Sequence, residues 1–203
     1  MIDSYVFLEN IRQNIVGADY IPRVNLPFGP RKLFYCDYMA TGRHLRHIEE
    51  SIQEKILPLC GNPHSTCSWM SLQSTHLVEQ ARAFFRQTLH ATEVDHAVLF
   101  TGNGATDAFR KLLSVLRLET LKFTQTDRPV VFLSELNHHS ASLIFPFLDC
   151  DVVYIPLTHT GQTDMVLLRK KLEEYSDRRY KIGVFSHSSN VTGVIEDTEV
   201  FFD

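Results

Sequence analysis

The sequence predicts an α/β protein with a mostly parallel, incomplete sheet flanked by helices. Three observations predict it. Short, almost wholly apolar runs alternate with segments of helical periodicity, which is the pattern of strands buried on both faces. The runs end in loops rich in Gly, Asn, His and Ser, where open parallel sheets keep their ligands. The last apolar run is followed by a loop at residues 188–193 and only the start of a further helix, so apolar surface is expected to stay uncovered.

Residues 1–34 read as an arm, with a short amphipathic helix marked by Val6, Leu8, Ile11 and Ile15, then a loop containing Pro22, Pro27, Gly29 and Pro30. Residues 35–203 read as a piece of a larger α/β domain. A short strand is expected at 33–38, and a helix carrying Leu45, Ile48, Ile52 and Ile56 that stops at Pro58. A long helix from about 68 to 89 places Leu77, Ala81, Phe84, Phe85 and Leu89 on a stripe that should face a core. Strands then follow at 96–101, 129–133, 151–157 and 181–186. Between them lie a helix at 105–118 with Phe109, Leu112, Leu113 and Leu116 on one face, a short apolar helix at 140–148, and a helix at 165–175 capped by Thr163. No internal repeat or low-complexity segment interrupts the pattern.

Composition narrows the function. The 203 residues are 44% hydrophobic and 22% charged, enough to build one sizeable core and inconsistent with a disordered chain. Twenty Lys and Arg against 24 Asp and Glu give a formal net charge of −4, and no basic block suits a run of phosphates, so nucleic acid is not expected as a partner. The apolar runs are far shorter than the roughly 20 residues a membrane helix needs. The first ten residues carry Asp3 and Glu9 and do not form a secretory signal, and the four cysteines show no CxxC spacing. A cytoplasmic chain with reduced thiols is expected.

Three loops carry candidate chemistry. Thr101-Gly102-Asn103-Gly104-Ala105-Thr106 joins an expected strand to a helix start, suiting either a phosphate cradle or a plain tight turn with Thr106 bonded in the first helical turn; it is neither a P-loop nor GxGxxG. Asn137-His138-His139 follows a strand end. An imidazole there suits stacking on a flat ring, and two solvent-facing loop histidines remain the plainer reading. A zinc site is disfavoured, since His64, His159 and His187 form no HxxxH or HxH pair with them. Ser189-Asn190-Val191-Thr192-Gly193 ends a third strand, and the neutral amide of Asn190 can donate to a phenolate oxygen. Three loops at one sheet edge can converge on one pocket.

Taken in order, Tyr35-Cys36-Asp37-Tyr38-Met39-Ala40-Thr41, Gly61-Asn62-Pro63-His64-Ser65, Gly104-Ala105-Thr106-Asp107-Ala108, Asn137-His138-His139-Ser140 and Ser189-Asn190-Val191-Thr192-Gly193 resemble the successive signatures of class V aminotransferases, above all the cysteine desulfurase-like branch. The resemblance implies the large domain of a fold type I pyridoxal phosphate enzyme and an amino acid as substrate in the full-length form, with desulfurase, lyase and transaminase chemistry all open. It implies pyridoxal 5'-phosphate held by Thr106 with the backbone at Gly104 and Ala105, stacked by His138 and bonded at its ring hydroxyl by Asn190. It places Asn62 and His64 on the substrate side, and it implies a homodimer.

Two departures stand out. Asn137 occupies a position where the family often has glutamate. In the family, the Schiff-base lysine, the aspartate that pairs with the pyridine nitrogen and the desulfurase cysteine all follow the asparagine loop. None of Lys111, Lys122, Lys170, Lys171 or Lys181 matches that lysine. The expectation is therefore an N-terminal fragment, inactive alone, with no catalytic residue of its own; the alternative is a non-catalytic truncated homologue that acts by binding. A hydrolase or nucleotide-binding α/β protein fails for want of a GxSxG elbow or a P-loop.

Overall fold

A computed structural model describes residues 4–20, 27–32, 34–120, 122–124 and 127–201. Pro22 and Leu33 lie outside the described residues. The chain forms two compact units, Met1–Leu99 and Phe100–Asp203.

The first unit is helical. Helix α1 (Ser4–Asn14) matches the expected amphipathic segment, and Ile15 bridges to Leu45 just before α2 (Arg46–Ser51). A π-helical turn, Ile52–Ile56, continues α2, and a 3-10 turn, Leu57–Leu59, brings it to a stop at the expected Pro58. Helix α3 (Trp69–Thr88) starts at Ser68, whose hydroxyl oxygen accepts the Ser71 N–H at 3.2 Å.

Two expectations fail in this unit. Residues 34–38 form no strand; the Tyr35 hydroxyl instead donates within the local turn to the carbonyls of Asp37 and Thr41. The apolar stripe of α3 is not covered among the described residues: Phe84, Phe85 and Leu89 are exposed, while Leu77 and Ala81 are half-buried. Periodicity defines a face without supplying the surface that buries it.

The second unit holds every buried hydrophobic side chain of the described residues. Its sheet has three parallel strands in the order β2-β1-β3: β1 (Val130–Ser134), β2 (Asp151–Ile155) and β3 (Lys181–Val184). The central strand β1 is buried along its whole length, and its side chains alternate between two cores. Val131 and Leu133 pack with Leu113 of α4 (Gly104–Val115), Leu118 and Phe145; Val130 and Phe132 pack with Ile155 and with Leu168 of α6 (Met165–Glu174). Helices therefore cover both faces, as parallel strands require.

Other elements depart from the expected pattern. Residues 96–101 carry a strand's composition but pair with no strand, and Leu99 and Phe100 are exposed. A single extended run cannot satisfy its own backbone groups. The apolar helix expected at 140–148 is broken into α5 (His139–Ser142) and a 3-10 turn at Phe145–Phe147, with Pro146 in its first turn. On α4 the expected face is only partly used: Leu113 is buried and Phe109 packs against the core, while Leu112 and Leu116 are exposed. The cap of α6 is Asp164, whose carboxylate accepts the Leu167 N–H at 2.9 Å; Thr163 is engaged elsewhere.

Candidate functional site

The head of α4 leaves backbone donors uncapped. Gly104 sits at φ +75°, a left-handed conformation that glycine adopts without steric cost, and its N–H turns back onto the Gly102 carbonyl. Asn103 at the N-cap makes no side-chain cap, so the first-turn N–H groups at Ala105 and Thr106 carry no capping acceptor. Thr106 and Arg110, four residues apart on one helix face, line a cleft of about 300 Å³ together with Phe109 and with His139 and Ser140 from the head of α5. Asp107 leans the other way, its carboxylate lying 3.3 Å from where a side chain on Gly102 would begin.

His138 caps α5. Its Nδ1 accepts the Ser140 N–H at 3.2 Å and lies 2.8 Å from the Ser140 hydroxyl. Because a backbone N–H can only donate, Nδ1 is the unprotonated nitrogen, and Nε2 carries the proton of the neutral ring. The ring leans on His139 with centroids 4.0 Å apart and is exposed.

The Asn190 loop is fixed from beneath. Ser189 is buried; its hydroxyl oxygen accepts the N–H groups of Val191 and Thr192, and its carbonyl accepts that of Gly193 at φ +72°. This closes a tight turn that carries Asn190 exposed at its tip. At the far end Glu196, 4% exposed, accepts both the N–H and the hydroxyl of Thr163 at 2.7 and 2.8 Å. The Thr163 hydroxyl in turn lies 2.7 Å from that of Ser134, the last residue of β1.

Asn137 crosses between the two strand ends. Its amide nitrogen donates to the Val184 carbonyl at 2.7 Å, and its oxygen accepts the Ser186 hydroxyl at 2.8 Å. The loops after β1 and β3 thus leave the same end of the sheet side by side, and Thr106 meets the first of them in the cleft it shares with His139. That cleft is lined by neither His138 nor Asn190.

Asn62 and His64 belong to the first unit and are both exposed. Their loop rests on α3. A side chain on Gly61 would meet the Ser71 nitrogen at 2.7 Å, the Gly61 N–H donates to Ser74, and the His64 N–H donates to Thr75. Among the described residues no group of three or more His, Cys, Asp or Glu side chains is placed to hold a metal ion.

Sequence reasoning missed Thr163, Ser189 and Glu196 as supports of the site. Only the Ser189 turn had a local signal, since a serine two and three residues before unpaired N–H groups is a common turn former.

The model of the class-V aminotransferases matches residues 34–203. The chain belongs to that family. It is 30% identical over 142 residues to the cysteine desulfurase SufS of Plasmodium vivax, a match covering 66% of this chain and 24% of that protein. The crystal structure of the cysteine desulfurase CsdA (S-sulfonic acid) from Escherichia coli superposes with a TM-score of 0.55 at 21% identity, covering 83% of this chain and 41% of that one. At that identity the likeness concerns the fold. The chain therefore spans about a quarter to two fifths of the length of these two relatives. The class-V member described here has the expected α/β architecture, a parallel sheet with helices on both faces, resembling the large domain of fold type I pyridoxal phosphate enzymes.

Proposed function

We propose that this class-V chain is the phosphate- and ring-binding part of a pyridoxal phosphate enzyme acting on an amino acid, as a desulfurase, lyase or transaminase. The observation that carries the reading is the cleft in which Thr106, at an uncapped helix head, meets the start of α5 directly after His138. Within the cleft the Thr106 hydroxyl and Arg110 suit the cofactor's phosphate, while Phe109, Leu143, Ile144 and Phe147 make the rest of the lining apolar; the uncapped N–H groups of Ala105 and Thr106 lie at the helix head beside it. When bound, the cofactor supplies a ring that accepts negative charge from the substrate's α-carbon.

In this reading Gly104 gives the backbone its approach, Ala105 and Thr106 hold the phosphate, His138 presents an imidazole to the ring, and Asn190 donates to the ring hydroxyl without titrating. Lys181 lies at the start of β3, at the opposite end of the sheet from the loops, with its ammonium on the Ser176 and Arg178 carbonyls; Lys171 is paired with Glu174 at 2.6 Å. The working form is a homodimer in a reducing cytoplasm. Its cysteines are all unpaired, with Cys36, Cys60 and Cys67 exposed and Cys150 buried, and no helix of the described residues is long and apolar enough to cross a membrane.

The test is a titration of the purified chain with pyridoxal phosphate, followed by ring absorbance and by retention through desalting. Thr106→Val removes a hydrogen bond to a charged group, about 1.5–3 kcal/mol, or roughly ten- to a hundredfold in affinity. Absent uptake, or uptake indifferent to Thr106→Val, refutes the reading.

A further inference from the structure

The β1–β3 ladder ends at the pair Leu133 and Val184, after which the two chains diverge. Beyond that pair the Val184 carbonyl is taken by a side chain, the Asn137 amide, at 2.7 Å. The orientation of that amide follows from its partners. A backbone carbonyl only accepts, so the nitrogen faces Val184; the oxygen then faces Ser186, whose hydroxyl donates at 2.8 Å. One neutral side chain thus donates to one residue and accepts from another two positions on. Aspartate at neutral pH offers only acceptors, and alanine offers neither.

The position gives this clasp its consequence. His138 is the next residue, and its ring is held through Ser140 of the four-residue helix α5. Asn190 lies four residues past Ser186, on a turn anchored by Ser189. The spacing of the two loops is therefore set where Asn137 joins them. We propose that Asn137 is a positioning residue of the cofactor site, fixing the separation between the imidazole of His138 and the amide of Asn190. The inference rests on the reading of those two residues as cofactor contacts. Groups that address a ring's face and its rim must keep their spacing, because a misplacement of about 1 Å is enough to lose most of the benefit.

The test uses Asn137→Asp and Asn137→Ala with the full chain. Pyridoxal phosphate affinity is measured at about pH 5 and about pH 7 and expressed relative to wild type. Glu135, His138, His139 and His187 are the other titratable groups of these loops, so each variant is compared with wild type at the same pH, and repulsion of the anionic ligand by the new carboxylate is separated from loop spacing by the hydrogen-exchange measurement below, which contains no ligand. A protonated aspartate can donate to Val184 and accept from Ser186; an ionised one turns an acceptor toward a carbonyl. Asn137→Asp is therefore expected to bind about tenfold more weakly than wild type near pH 7 and to recover most of that loss near pH 5, while Asn137→Ala stays weak at both.

Leu168→Ala separates positioning from general destabilisation, because Leu168 packs on the other face of the sheet with Val130, Phe132 and Ile155. Its folded fraction is expected to bind like wild type. A readout free of cofactor is amide hydrogen exchange of residues 137–142 and 185–190 in the unloaded chain, expected to quicken in Asn137→Asp near pH 7 and not in Leu168→Ala. Wild-type affinity in Asn137→Asp at both pH values, or equal weakening by Leu168→Ala, overturns the inference and leaves the cofactor reading standing. Failure of the wild-type chain to take up pyridoxal phosphate overturns both.

Discussion

Replacing Glu196 by alanine is expected to cost about 2–4 kcal/mol of stability, a large share of the roughly 5–15 kcal/mol typical of a folded domain. The magnitude follows from three buried residues. Glu196, Thr163 and Ser134 are 4%, 3% and 2% exposed, and one carboxylate oxygen accepts both donors of Thr163. Since that oxygen takes the Thr163 proton, the Ser134 hydroxyl must donate to Thr163, and the Ser134 oxygen is left to accept the Leu136 N–H at 3.1 Å. Truncation orphans the Thr163 N–H, costing about 1–3 kcal/mol, and breaks a hydroxyl bond to a charged group, part of which returns if Thr163 reverses its donation toward Ser134. Glu196→Gln keeps a carbonyl acceptor in place and is expected to lose only about 1 kcal/mol.

Urea unfolding followed by far-ultraviolet circular dichroism measures both variants. Fluorescence is the wrong probe, because the single tryptophan, Trp69, belongs to the Met1–Leu99 unit. A shift under about 0.5 kcal/mol for Glu196→Ala, or equal losses for the two variants, refutes the reasoning, since either result means that the acceptor at this position is not what holds Thr163.

Three further outcomes are expected. Asp164→Ala should lower stability by about 1 kcal/mol by removing the acceptor at the head of α6, and Asp164→Asn should restore most of it, both read from the unfolding midpoint. Phe145, fully buried and edge-on to Phe109 with centroids 5.6 Å apart, should cost about 3–5 kcal/mol when cut to alanine, with Phe145→Leu losing clearly less. Burial pushes the Cys150 thiol above its ordinary value of 9.0, with Asp151 and Asp149 adding to the rise and Arg128 opposing it. A raised folded-state value means that the unfolded chain gives up this proton first. The contribution is full below pH 9.0 and is lost as pH climbs from there through the raised value. Unfolding midpoints measured from about pH 8 to about pH 10 should fall less steeply in Cys150→Val than in wild type.

What the sequence made legible is what local pattern can encode. The run at 129–133 reads as a doubly buried strand because nearly all of it is apolar, and it falls on β1; α6 falls on the helix expected at 165–175. The three candidate loops were legible as strand ends and helix starts. What stayed hidden depends on partners distant in the chain. Residues 96–101 have the right side chains for a strand, but pairing requires a neighbour, and the described residues offer none. Thr163 and Asp164 are both good caps, and Thr163 loses that role because its hydroxyl is turned away from the helix head, between Ser134 and Glu196, 33 residues on. Asn137 read as a mere departure from a family pattern; its meaning appears only when β3 brings Val184 and Ser186 alongside.

The order β2-β1-β3 leaves β3 outermost, with one row of backbone donors and acceptors unpaired among the described strands. An edge of this kind adds strands from other chains, and natural proteins usually blunt it with charge, proline or a bulge. Here the strand is Lys-Ile-Gly-Val, and its lysine turns back onto the Ser176 and Arg178 carbonyls rather than guarding the edge. The practical shelf life of the purified protein should therefore be governed by concentration and time more than by temperature, with dilute samples staying monodisperse longest.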